Sequence, residues 1–468
     1  MLLSRTLRYL PAQLIGPLSQ FVAVVVWTHF LPPAAYGTVA LIMALQELIS
    51  RLCLGWWSSY ILRYAATFTP DMQERQGAHE NAVLLASSIL QVVVTWIVLA
   101  ASSLPLTPDL VAAAVAFTIS RSLTTHMAER ARSIQAIAIY TVAQTVGPVI
   151  GLGLGTAVVW TYPSAAAALA GLALAQIVVL PFLWRALIPS HRLLLDRSNL
   201  KQALIFSLPL IASSAVGWAV VNGIRLIVEE VEGAEAVGLI SVGWSLGHRL
   251  MSVVAMLVTA AAFPIAVDQM VRSGKEAAYA QVARNSVLLL AIVVPGAAGI
   301  LCLTPAIVEM LIGAQFHTAT LIVLPVATLA AAIHNVRLHT IDQVFLLCER
   351  PRVILYVDLV ELTLTVAGCW FGLVHGGFLG ACLGCLAANV VALALCGWCA
   401  YREGLRLPLL PIGKIMLATC LMAAVVTLAP SFPGRLGLAV DVAAGGGLYI
   451  LAMALLFRQH WPQIRQAA

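Results

Sequence analysis

Five arginines stand inside stretches that are otherwise apolar: Arg51, Arg121, Arg225, Arg249 and Arg337. A guanidinium in hydrocarbon costs about 2.5–3.5 kcal/mol on insertion scales, so each of these should face protein, water or a ligand. The planar fork stays charged and suits phosphate or carboxylate through paired hydrogen bonds. His248, next to Arg249, can titrate near neutral pH, and Asn222 lies three residues before Arg225. The acids at comparable depth are few, chiefly Glu47, Asp342, Asp358 and Glu361. A carrier of cations needs an acidic pocket. This balance favours an anionic ligand such as a phosphate or diphosphate.

Each residue also has a structural use. Glu47 and Arg51 are four apart, so they can pair on one helix face or border a water-filled cleft. Arg121 shares a face with Thr124 and Thr125, and Glu129 lies too far along the helix to reach it easily. It is either an anion ligand or a side chain reaching to the membrane interface. Arg225 can pair with Glu229 or serve an outer gate. Arg249 falls on one side with Ser245, His248, Ser252 and Thr259, and either lines a cavity or meets an acid on a neighbouring helix. Arg337 belongs to the dense polar run from His334 to Gln343, whose inner half could equally lie at the interface. Asp358 and Glu361, three apart, can bind a proton or sodium ion, or hold an arginine such as Arg121. The expected substrate-binding set is therefore Arg51, Arg121, Arg249, Arg337, His248, Asn222 and Arg225. Glu47, Asp342, Asp358 and Glu361 are left for ion coupling or internal pairing. No catalytic residue, metal site or cofactor is expected.

The elements that must hold these side chains follow from composition. The chain has 468 residues, 61% hydrophobic and 10% charged, with a mean hydropathy of +0.96. Soluble domains carry about 25% charged residues, so this is an all-α, multi-pass membrane protein. Apolar length predicts about fourteen transmembrane helices, from Leu14–Phe30 to Leu436–Phe457. The first has basic residues before it but no small-residue cleavage site, which predicts a retained helix rather than a signal peptide. Outside the five arginines named above, lysine and arginine fall on alternate loops and both tails, with Arg435 alone on the opposite side. That alternation places both termini in the cytoplasm. It also explains the net charge of +6 without nucleic acid. The loops are too short for a soluble catalytic domain, and no Gly-rich loop precedes a Lys-Ser or Lys-Thr, so an ATPase is excluded.

The chain repeats itself. The sequence LPPAAYGTVALIMALQELI, from Leu31, resembles VEGAEAVGLISVGWSLGHRL, from Val231, with Gly37 on Gly238 and Glu47 on His248. Six spans separate the copies, so both run in the same direction. This predicts two parallel six-helix lobes, residues 1–189 and 202–403, around a central cavity. A cytoplasmic linker, 190–201, joins them, and residues 404–468 add two helices. The nine cysteines sit mostly in apolar spans. Cys382/Cys385 and Cys396/Cys399 share one predicted helix, and Cys382 and Cys399 would lie ~25 Å apart. Four thiolates so spread cannot share a tetrahedral zinc.

Several segments resemble polysaccharide transporters in the superfamily of multidrug and oligosaccharidyl-lipid flippases. They are LRYLPAQLIGPLSQF, LPPAAYG, LGWWSSYILRY and LKQALIFSLPLI, with VHGGFLGACLG similar to the family's Tyr-Gly-x-x-Gly-Ala pattern and His375 in place of tyrosine. The resemblance covers most of the first 400 residues. It implies alternating access for an undecaprenyl-diphosphate-linked oligosaccharide in the bacterial inner membrane, during O-antigen, capsule or exopolysaccharide synthesis. Membrane lipids and the pathway's polymerase and export proteins would be its partners. It carries over no invariant site residue. A lipid II flippase and a small-molecule exporter of the same superfamily are the near alternatives. A membrane-bound ligase or polymerase is further off, because it needs catalytic residues on outward loops that are short and nearly uncharged here.

Overall fold

The computed structural model describes residues 2–428 and 434–458, and among these no strand occurs. With no water to bond backbone groups in hydrocarbon, apolar runs of this length satisfy themselves as helices. They are α1 (Leu2–Trp27), α2 (Pro33–Ser50), α3 (Trp56–Tyr64), α4 (Pro70–Ala101), α5 (Pro108–Ser133), α6 (Ile137–Thr161) and α7 (Ala165–Leu187). There follow α8 (Arg197–Leu311), α9 (His317–Val336), α10 (Asp342–Leu347), α11 (Pro351–Glu403), α12 (Leu409–Leu428) and α13 (Gly434–Leu456). Proline opens α2, α4, α5 and α11, where its missing N–H leaves no bond unmade.

The long elements are folded rods. Gly233 and Gly274 take positive φ, 82° and 83°, and break α8 into three arms. Gly377, at φ 57° and ψ −147°, turns α11 back on itself. With these breaks each of the fourteen expected spans lies on helix to within a few residues, as expected for an all-α, multi-pass membrane protein. Ten stretches among the described residues are long and apolar enough to cross a membrane, several of them holding more than one span. α5 is not among the ten, because Arg121, His126, Glu129, Arg130 and Arg132 lower its hydropathy.

The chain forms two compact units, Met1–Ser241 and Val242–Ala468. In the first, α3, α4, α5, α6 and α7 bury a core that includes Leu54, Trp57, Ile61, Leu84, Met127, Tyr140 and Leu183. Residues 190–199 are laid on the first turns of α4: Asn81 Nδ2 donates to the Ser190 carbonyl at 2.8 Å, and Leu194 N donates to Ala78 O at 3.1 Å. In the second unit the two arms of α11 touch backbone to backbone. A Cβ on Gly372 would stand 2.1 Å from Gly380 O, and one on Gly380 would stand 2.1 Å from Gly372 O.

A second close crossing lies in the first unit, between α2 and the start of the middle arm of α8. A Cβ on Gly37 would meet Ala234 O at 1.9 Å, and one on Gly238 would meet Pro33 O at 1.9 Å. The residues touching are those the sequence repeat makes equivalent: Gly37 with Gly238, and Pro33 with Ala234. Each helix therefore offers the same face to the other, as across a two-fold axis. Two turns further on, Trp218 Nε1 donates to Ala44 O at 3.0 Å, a second tie between α8 and α2.

Candidate functional site

In the first unit, Arg51 Nη2 meets Glu47 Oε1 at 2.6 Å, and both side chains are nearly half exposed. Arg121, half-buried on α5, feels the charge of Glu47. Among the described residues no side chain makes a hydrogen bond or ion pair with its guanidinium. Its neighbours in the chain are already engaged. Ser120 Oγ donates to Gln176 Oε1 at 3.0 Å, and Thr124 and Thr125 bond back to the carbonyls of Ser120 and Arg121. Arg121 is thus a cation set among satisfied hydroxyls, with the nearest acid already bound to Arg51.

Asn222 and Arg225 form a buried group on the first arm of α8. Arg225 Nη1 donates to Asn222 Oδ1 at 2.5 Å and its Nε to Ser241 Oγ at 3.2 Å. Glu229 Oε1 takes hydrogen bonds from Ser103 N at 2.8 Å and Ser103 Oγ at 2.5 Å. These bonds join the end of α4 to α8.

A fully buried network in this unit has no counterpart in the sequence reading. Glu80 on α4 receives His126 Nε2 at 2.7 Å and the Arg130 guanidinium, both from α5. His126 Nδ1 meets Ser58 Oγ at 2.9 Å, and Arg130 Nε donates to Leu187 O at 2.9 Å. Ser58 Oγ also donates to Leu54 O at 3.3 Å, four residues back along the chain. The network ties α3, α4, α5 and the end of α7 together. The sequence signal was His79-Glu80-Asn81, three polar residues at the threshold of an apolar span.

In the second unit, His248 and Arg249 are half-buried on the middle arm of α8, the imidazole tilted on Trp244 with centroids 4.7 Å apart. The side chain of Thr259, expected on the same face, lies outside the described residues.

The densest charge is elsewhere. Arg337 is 4% exposed and reaches Asp358 Oδ1 at 2.5 Å, Glu361 Oε2 at 3.0 Å and Asp342 Oδ2 at 3.7 Å. Cys396 Sγ donates to Asp342 Oδ1 at 3.0 Å, and His334 Nδ1 lies 3.9 Å from Glu361 Oε1. The acids at 358 and 361 hold an arginine, and it is Arg337. The geometry depends on a π-helical turn, Arg337–Ile341, between α9 and α10. In a regular helix residues five apart point about 140° away from each other. The i→i+5 turn brings Arg337 and Asp342 onto one side. A second such turn, Arg51–Gly55, follows α2 and also opens on an arginine of the expected site.

Three carboxylates face one guanidinium. Buried charge of that kind is tolerated only when paired or neutralised, so one guanidinium leaves the three acids incompletely balanced. Arg337, by contrast, is already enclosed by anions.

Comparison with known proteins adds the following. Residues 26–321 match the family model described as "Polysaccharide biosynthesis protein". No curated protein sequence matches the chain. Among solved structures, "Lipid II flippase MurJ, inward closed conformation" is similar with a TM-score of 0.75 at 13% identity, over 96% of this chain and 99% of that one. An inward-facing multidrug resistance MATE family transporter has a TM-score of 0.56 at 13% identity, covering 88% and 99% of the two chains. The MATE multidrug transporter DinF-BH gives 0.51 at 14% identity, over 86% and 95%. At such identities the likeness is one of fold.

Proposed function

Because the chain belongs to the polysaccharide biosynthesis protein family, we propose that it is a flippase for an undecaprenyl-diphosphate-linked oligosaccharide. It works by alternating access in the bacterial inner membrane, with both termini in the cytoplasm, and makes or breaks no bond. Arg121 is the observation that carries the reading to a diphosphate. It is a guanidinium at membrane depth with no ion pair among the described residues, its nearest acid held by Arg51. Arg51 joins it when a phosphate competes with Glu47 for its guanidinium, and in the second unit Arg249 and His248 are the substrate-binding residues of this reading. The fold similar to that of the lipid II flippase MurJ supports a lipid-linked substrate, and membership of the polysaccharide biosynthesis family supports a saccharide. The pathway's polymerase and export proteins would take up the product.

Deletion of the gene should cause undecaprenyl-linked oligosaccharide to accumulate on the cytoplasmic face, measured in extracted lipids and by accessibility to impermeant glycan reagents. Normal translocation with unpolymerised product outside would overturn the flippase reading. Accumulation of lipid II instead would move the substrate to peptidoglycan. Arg121→Ala, and separately Arg249→Ala, should cut export about tenfold or more at normal protein levels, since charge-assisted bonds to phosphate are the strong ones. Lysine at position 121 should restore part. Full complementation by both alanine variants would remove the cationic site.

A second element concerns energy. The carboxylate surplus around Arg337 favours proton or sodium coupling at Glu361, the most buried of the three acids at 1% exposure. Glu361→Gln keeps the shape and removes the carboxylate. Export by that variant should lose its dependence on an imposed proton or sodium gradient. Unchanged gradient dependence would leave the cluster a purely structural one.

A further inference from the structure

The segment between α7 and α8 is built as a display. Residues 188–196 belong to no helix, yet their backbone is fixed to α4. Asn81 Nδ2 holds the carbonyls of Ser190 and Arg192, at 2.8 and 3.2 Å, and Ala78 O takes Leu194 N. Asn199 Nδ2 reaches Gln76 Oε1 at 2.5 Å, and Arg75 meets Asp196 at 3.2 Å. On this fixed segment stand three consecutive leucines with exposures of 62%, 43% and 56% at Leu193, Leu194 and Leu195. A free loop would turn such side chains inward. This one is prevented by its bonds.

Its depth can be estimated. The apolar run of α4 begins at Val83, and Asn81 and Ala78 are two and five residues before it. At 1.5 Å per residue the segment lies about 3–8 Å outside the hydrocarbon edge. Interfacial segments bury their apolar side across this same headgroup–acyl boundary.

The charges agree. His191, Arg192 and Arg197 are exposed, and neither arginine has an ion pair among the described residues. The segment's one acid, Asp196, is occupied: its Oδ1 caps α8 through Ser198 N at 3.0 Å and Asn199 N at 3.3 Å. The Asn199 N–H first, then Ser198 N–H and Arg75, hold its carboxyl below the usual carboxylate range. The segment therefore offers leucine flanked by uncompensated arginine.

We propose that this segment is an interfacial anchor, with Leu193 and Leu195 inserted among acyl chains and Arg192 and Arg197 on the phosphates of anionic phospholipids. The anchor does not depend on what the protein carries. It would fix the depth of the connection into α8, so that a conformational change cannot lift this end of the helix off the leaflet.

The test is site-specific photocrosslinking in living cells, with p-benzoylphenylalanine replacing Leu193, Leu195 or, as a control on the exposed start of α4, Gln73. After irradiation the purified protein is analysed by mass spectrometry. Phospholipid adducts are expected at 193 and 195 and not at 73, with anionic headgroups above their share of the membrane. In an Arg192→Glu/Arg197→Glu background the adducts should persist and the anionic enrichment should vanish. Crosslinks to another protein, or no lipid adduct at either leucine, would overturn the anchor. Enrichment that survives the charge reversal would overturn the role given to the arginines.

Discussion

Alanine at Gly37 or Gly238 should abolish the state in which these two helices touch. In each case the new Cβ would lie 1.9 Å from a main-chain carbonyl oxygen. No rotamer change relieves such a clash, so one helix must move away. Overpacking of this type costs about 1–3 kcal/mol, roughly a fivefold to hundredfold shift between two conformations. On the proposed alternating-access reading the protein should still fold, in a second arrangement in which this crossing is open. The measurement is export in a deletion strain, together with reaction of a Thr38→Cys thiol with an impermeant maleimide added outside. Export should fall and labelling should rise. The double alanine variant should cost little more than either single one, since both substitutions break one contact. Normal export with unchanged labelling would show that this crossing has no part in the cycle.

The second large effect is at Arg337. Its removal leaves Asp342, Asp358 and Glu361, 1–8% exposed, without their counter-charge. Breaking a buried pair by taking away one partner typically costs about 3–5 kcal/mol. Arg337→Ala should therefore appear in the membrane at low level and unfold at a lower temperature in detergent. Adding Asp358→Asn and Glu361→Gln should recover part of that loss. Arg121→Ala should do neither, because it leaves no acid stranded. An Arg337→Ala protein as stable as the parent, but inactive, would return this residue to the substrate. Arg337 was expected among the phosphate ligands on the same ground as Arg121, namely its depth in an apolar span. The structure separates the two by their partners.

That separation shows what a linear reading can and cannot reach. Helix number, span limits and the register of Gly37 on Gly238 follow from apolar length and from repetition, both of which are properties of the sequence. Pairing across helices is not. The i,i+4 bond of Glu47 with Arg51 was legible because helical spacing alone sets it. The contact of Arg337 with Asp342 was not, because it needs a π-helical turn that no periodicity announces. Glu80 and His126 lie 46 residues apart and meet only when α4 and α5 pack. Asp358 and Glu361 were legible as an acidic pair that could bind a proton or sodium ion or hold an arginine such as Arg121; that they meet Arg337 was not legible.

The reciprocal contact at Gly37 and Gly238 has a consequence for how the two halves can change. Two separate copies of one lobe meeting about that axis would present the same residue from both sides. Any substitution there would act twice, and a favourable pairing of unlike residues could never form. Once both copies belong to one polypeptide, each side varies alone. Glu47 and His248 stand at equivalent positions in the repeat, an acid in one copy and a base in the other. Glycine stands at both touching positions, while the positions ten residues further along carry an acid and a histidine. The contact thus constrains the first pair and leaves the second free to differ.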